Sequence, residues 1–134
     1  MNILLDTHIA LWVIAEPYKL SKKTLKLLDD KNNNFYVSIA SVWEVAIKNI
    51  KHPEDVPMSD FEYVNFCVMS GFDILPLKVE HIFALKTLHR LPNAPEHNDP
   101  FDKIMISQAK SESFYFLTDD KLLPFYGENF IIDA

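Results

Sequence analysis

Five short runs of apolar residues constrain this chain more than anything else. They are Ile3-Leu4-Leu5, Phe35-Tyr36-Val37-Ser38, Ile74-Leu75-Pro76-Leu77, Tyr115-Phe116-Leu117 and Phe130-Ile131-Ile132. Each is strand-length, and the stretches between them read as helices over residues 8–15, 21–30, 40–50, 59–69, 79–88 and 100–111. Ser21 is a good N-cap with Leu25 and Leu28 on one face behind it, and Pro17, Pro53 and Gly71 stand where helices should stop. A further helical turn is expected at 120–123. Strands alternating with helices predict an α/β fold with a mostly parallel sheet. Pro76 places the third strand at a sheet edge. Right-handed crossovers then put every strand-to-helix junction on one edge, where ligands bind near the topological switch point.

The rest of the composition narrows the function. With 134 residues, 49% hydrophobic and 24% charged, one soluble domain spanning 1–134 is expected. The two glycines, Gly71 and Gly127, leave no Gly-rich phosphate loop, which removes nucleotide-binding folds of that kind. Cys67 stands alone in an apolar stretch and reads as a buried small hydrophobe. Residues 1–6 have no basic leader, and no run is long enough for a membrane helix, so no membrane association and a cytoplasmic location are expected by elimination. The net charge of −6 argues against a protein that grips nucleic acid through a broad basic field. Five carboxylates gathered in one cation-binding pocket would account for most of that excess.

The expected junction edge is rich in acids. The first strand ends in Asp6-Thr7, and Glu44 follows the second strand by one to two helical turns. Asp99 and Asp102 open the helix at Pro100, and the fourth strand ends in Thr118-Asp119-Asp120. Each acid has a plain alternative reading. Asp6 and Asp99 suit N-caps, Asp102 suits the positive end of a helix dipole, and Ser41-x-x-Glu44 matches a capping box. Capping needs only one oxygen per helix, however, and clustered carboxylates repel and raise one another's pKa. A hard divalent cation removes that conflict, and an oxygen-only set favours Mg²⁺ or Mn²⁺ over zinc.

These blocks resemble a PIN domain, specifically the VapC-type toxins. The likeness is carried by residues 1–8, by Ser38-Ile39-Ala40-Ser41-Val42-Trp43-Glu44, by His97-Asn98-Asp99-Pro100-Phe101-Asp102-Lys103 and by Leu117-Thr118-Asp119-Asp120, in that order. The resemblance implies an α/β/α sandwich that cleaves single-stranded RNA with Mg²⁺ or Mn²⁺, a homodimer, and a cognate VapB-like antitoxin. It also implies Asp6 and Asp102 as principal metal ligands, with Glu44 and Asp120 completing the site. Thr7, Thr118, Asp99 and Asp119 would support them. The choice within the pairs Asp99/Asp102 and Asp119/Asp120 stays open. Asp102 is favoured because Ile106 and Ala109 then face the core, and Asp120 because of its spacing from Thr118.

Lys48, Lys51, Lys103 and Arg90 are candidates for RNA phosphate contact. His8 and His97 lie near the expected site and read foremost as hydrogen-bonded loop or helix-start residues. Trp12, Trp43, Phe61, Tyr63 and Phe66 read as core or dimer contacts. Three readings compete with the toxin. One is an inactive PIN-like module that binds RNA or protein, another is a standalone PIN nuclease, and the third is a phosphotransfer domain using Asp6 as nucleophile. His8 stands where some phosphatases of that third type need a second aspartate.

Overall fold

The computed structural model describes residues 1–134. Its centre is a sheet of five parallel strands, β1 (Asn2–Leu5), β2 (Asn34–Ser38), β3 (Asp73–Leu75), β4 (Tyr115–Thr118) and β5 (Ile131–Asp133), in the order β3-β2-β1-β4-β5. The chain winds outward from β1 in one direction, then returns to the other side of β1 with β4. The switch point therefore lies between β1 and β4, directly after Leu5 and Leu117, which are in register.

Six helices cover the sheet: α1 (Thr7–Ala15), α2 (Lys22–Asp29), α3 (Ile39–Lys51), α4 (Asp60–Met69), α5 (Val79–Phe83) and α6 (Pro100–Glu112). Alternation along the strands divides the core in two. Ile3, Leu5, Phe35, Val37 and Leu117 face one layer, with Ile9 of α1 and Tyr63 and Cys67 of α4. Leu4 and Phe116 face the other, with Met105, Ile106 and Ala109 of α6. Helix α3 gives Val45 to the first cluster and Ala40 to the second. This is the expected three-layer α/β/α sandwich. Each of these fully buried aliphatic side chains contributes about 1.5–3 kcal/mol of transfer free energy.

Four local expectations are corrected. The stretch 79–88 is not one helix: α5 ends at Phe83 and a 3₁₀ turn, Ala84–Thr87, follows, with the Thr87 hydroxyl turned back onto the Ala84 carbonyl. The turn after β4 forms later, as a 3₁₀ helix at Leu123–Tyr126, because the Asp120 carboxylate accepts from the Leu122 N–H and Pro124 fixes the new start. Gly127 closes that turn at φ +67, and a Cβ there would come within 2.8 Å of Leu91. Leu25 is 40% exposed, whereas Thr24 is fully buried. Finally, Ser38 rather than Ser41 caps α3, so the predicted capping box with Glu44 does not form.

Candidate active site

The C-terminal ends of β1 and β4 assemble the first part of the site. Asp6 caps α1, with Oδ1 accepting from the Thr7 N–H at 2.7 Å. Its Oδ2 accepts from the Thr118 hydroxyl at 2.6 Å. That same Thr118 oxygen accepts from the Asp120 N–H at 3.0 Å, so one threonine holds the Asp6 carboxylate and the Asp120 backbone at the end of β4.

Glu44 arrives from α3, whose second turn lies over the same edge. The Thr7 hydroxyl donates to Glu44 Oε1 at 2.6 Å and lies 2.8 Å from the Ser41 hydroxyl, which is 2.7 Å from the Tyr63 hydroxyl. A hydroxyl has one proton, so the direction is fixed once Thr7 donates to Glu44. Ser41 must donate to Thr7, and Tyr63 to Ser41. Lys48 binds the other oxygen of Glu44 at 2.5 Å. Burial alone would lower the Lys48 pKa, but Glu44, Asp99 and Asp102 hold it above its ordinary value.

The third acid enters on α6. Asp99 caps that helix through the Phe101 and Asp102 N–H groups, with Pro100 at its first position. Asp102 then points inward, 7% exposed, while Ile106 and Ala109 below it are fully buried. Its Oδ2 lies 3.1 Å from His97 Nε2, and His97 Nδ1 lies 2.8 Å from the Tyr126 hydroxyl. Ligating atoms of His97, Asp102 and Asp120 all fall within 4.8 Å of one another.

The electrostatics follow from this crowding. Burial pushes Asp102 up to about 8, and Asp6, Asp99, Glu44 and Asp120 each add to the rise. Burial raises Asp6 to about 6 against the opposing bond from Thr118. Burial and the nearby Arg90 lower His97. Five carboxylates thus meet around the Lys48 ammonium, and two resist ionisation. The donors fit a divalent cation: oxygen atoms predominate, the acids repel in its absence, and Thr7 and Thr118 hold Glu44 and Asp6 in place.

Asp119 is half-buried and lies outside the cluster, whereas Asp120 brings an oxygen within 4.8 Å of the ligating atoms of His97 and Asp102. Of the expected phosphate contacts, Lys48 is bound to Glu44, and Lys51 is exposed at the end of α3. Lys103 is half-buried beside His97. Arg90 is turned inward: its guanidinium donates to the carbonyls of Leu122 and Pro95 and lies 4.5 Å over the Tyr126 ring. Sequence reasoning missed Tyr63 as the root of the hydroxyl chain and Tyr126 as the partner of His97. No local spacing announces either. Among the aromatics, Tyr63 is core, while Trp43 and Phe61 are exposed. A cleft of about 420 Å³ adjoins the acids, lined by His8, Trp12, Lys19, Lys48, His52 and Met58 among others.

The family model described as PIN domain matches residues 3–126. Among solved structures, the chain is similar to VapBC2 from Rickettsia felis, solved bound to a DNA fragment from their promoter. The TM-score is 0.70 at 19% identity, covering 100% of this chain and 98% of the other. It is also similar to VapBC-1 from nontypeable Haemophilus influenzae, with a TM-score of 0.56 at 14% identity over 90% of this chain and 87% of the other. No curated protein sequence matches significantly.

Proposed function

The chain belongs to the PIN domain family, and from that premise we propose that it is a metal-dependent endoribonuclease, the VapC-type toxin of a toxin–antitoxin pair. One observation carries the reading. Asp6, Glu44, Asp102 and Asp120, from four separate segments, converge at the switch point of the sheet, each on an ordered hydrogen-bond partner. Such convergence has no structural purpose that a serine cap would not serve as well.

In this reading Asp6 and Asp102 are the principal ligands of Mg²⁺ or Mn²⁺, with Glu44 and Asp120 completing the set. The bound cation supplies charge neutralisation at the phosphodiester and a water of lowered pKa. The chain's own residues do the positioning. Thr118 fixes the Asp6 carboxylate, and the hydroxyl chain from Tyr63 fixes Glu44. Lys48 balances Glu44 and lines the adjoining cleft, where a substrate phosphate would approach. Lys51 and Lys103 extend that approach.

The whole chain acts as one cytoplasmic nuclease domain, as a homodimer, restrained by a VapB-like antitoxin; the similarity to two VapBC structures supports that partner. No helix is long and apolar enough to cross a membrane.

The test is cleavage of mixed single-stranded RNA by purified protein, with Mg²⁺ or Mn²⁺ and with EDTA, beside Asp6→Asn and Asp102→Asn. Cleavage that requires the cation and vanishes in both folded variants is the expected result. A folded protein that binds neither ion and cuts nothing would favour the inactive binding module.

A further inference from the structure

Three clusters in this molecule place histidine beside carboxylates, and only one holds a buried histidine whose hydrogen-bond partners leave its tautomer open. His52, Glu54 and Asp55 are all exposed, and His52 meets Glu54 only at 3.6 Å. His81 is fully buried, but both of its nitrogens are used: Nδ1 accepts from the Lys78 N–H at 3.0 Å, so Nε2 must carry the proton it donates to Glu112 at 2.8 Å. His97 differs. Its Nδ1 faces a tyrosine hydroxyl, which can accept a proton as well as donate one.

We infer that His97 is itself a ligand of the catalytic cation, through Nε2 beside one oxygen each of Asp102 and Asp120, and that this nitrogen makes the site prefer Mn²⁺ to Mg²⁺. The inference rests on the metal-dependent reading above and names a ligand outside the four-acid set. For Nε2 to bind a cation, the ring proton must sit on Nδ1, where the Tyr126 oxygen accepts it. Histidines that bind metal are held in this way, with the second nitrogen donating to a fixed oxygen.

The support behind that oxygen is built in depth. Tyr126 is 6% exposed, and its ring meets the imidazole edge-on, with centroids 5.5 Å apart and planes at 90°. Arg90 lies over the Tyr126 ring and is itself pinned by the Leu122 and Pro95 carbonyls. The His97 side chain is 4% exposed, so no solvent competes for its orientation. A surface histidine that merely closed a loop would need none of this.

The selectivity follows from ligand chemistry. Mg²⁺ takes oxygen and releases water reluctantly, whereas first-row transition ions gain from imidazole nitrogen. A set of carboxylates plus one imidazole therefore moves the balance from Mg²⁺ toward Mn²⁺.

The experiment is pulsed EPR of the full chain loaded with Mn²⁺, together with Mn²⁺ and Mg²⁺ affinities by calorimetry. The expected spectrum carries modulation from a directly bound ¹⁴N nucleus, and this changes when the unaltered protein is made with ¹⁵N-histidine. His97→Gln removes the modulation and lowers the Mn²⁺-to-Mg²⁺ affinity ratio at least about tenfold. His8→Gln, which alters the histidine near Asp6, leaves it. Bound Mn²⁺ without nitrogen coupling in the unaltered protein would overturn the inference and leave the carboxylate site standing. Failure to bind either ion would overturn both.

Discussion

Helix α6 sets a histidine against a carboxylate at each of its ends, about 15 Å apart along the axis. At the C-terminal end His81 meets Glu112 at 2.8 Å, and at the N-terminal end His97 meets Asp102 at 3.1 Å. The helix dipole favours the carboxylate at the N-terminus and disfavours the one at the C-terminus. The outcome is the reverse. Glu112 lies below its ordinary pKa, chiefly through the His81 bond and with help from Lys78, whereas burial and four neighbouring acids carry Asp102 to about 8. At Glu112 the histidine bond decides the outcome, and at Asp102 burial and the neighbouring acids do. One pair is a finished structural contact, and the other is left short of positive charge.

Asp102→Asn should break that contrast most severely. RNA cleavage is expected to fall at least about 10³-fold, because the cation loses a principal ligand. Glu112→Gln should change cleavage less than about twofold in the same assay. Equal losses would mean that α6 matters only as a scaffold.

Stability should show the opposite ranking. His81→Ala removes a fully buried side chain and leaves Glu112 and the Lys78 N–H without their partner. A loss of about 2–4 kcal/mol in denaturant unfolding is expected. Asp102→Asn in EDTA should not destabilise, because it removes a charge the folded chain resists.

The pH dependence sharpens the comparison further. The Asp102 carboxyl ionises near 8 when folded and near the ordinary aspartate value when unfolded. Between those values the folded chain holds more protons, so stability is greatest at the acid end and falls as pH rises. In EDTA the melting temperature should drop by about 5–10 °C from pH 5 to pH 8.5. A saturating divalent cation, or Asp102→Asn, should flatten that slope. An unchanged slope in Asp102→Asn would place the titration elsewhere.

A smaller loss than that of Asp102→Asn is expected of Thr118→Val, which removes the bonds to Asp6 and from the Asp120 N–H. It should cost about 1–2 kcal/mol of stability and weaken cation binding about tenfold, read by thermal melting and calorimetry.

Much of this was legible in the sequence because it is local. Apolar runs located all five strands within a residue or two, and Asp99-Pro100 marked the start of α6 with both cap and first-turn proline. The order of the acids along the chain also pointed to one edge, since Asp6 and Asp120 follow the parallel strands β1 and β4 and Glu44 and Asp102 lie near helix starts. What escaped depends on contacts between distant segments. Ser41 and Glu44 have capping-box spacing, yet Ser38 was free to cap first, and the later serine joined the hydroxyl chain. His97 is hydrogen-bonded just before a helix start, as the sequence suggested, but its partners, five and 29 residues away, could not be named from it. Arg90 was read as a phosphate contact, but its stacking on Tyr126 arises only after the turn at Leu123–Tyr126 folds back.

The bond between Thr118 and Asp6 spans 112 residues of chain. Closing so long a loop costs about 4 kcal/mol of chain entropy before any contact repays it, and such contacts form late. Helices α1, α3 and α6 can therefore each exist, with Asp6, Glu44 and Asp102 already on them or at their ends, in a chain that has no nuclease site. During refolding, helical signal and hydrolytic activity mark two different moments. The second arrives only when β4 seats against β1, so the hazard of an active nuclease is withheld until the sheet has closed.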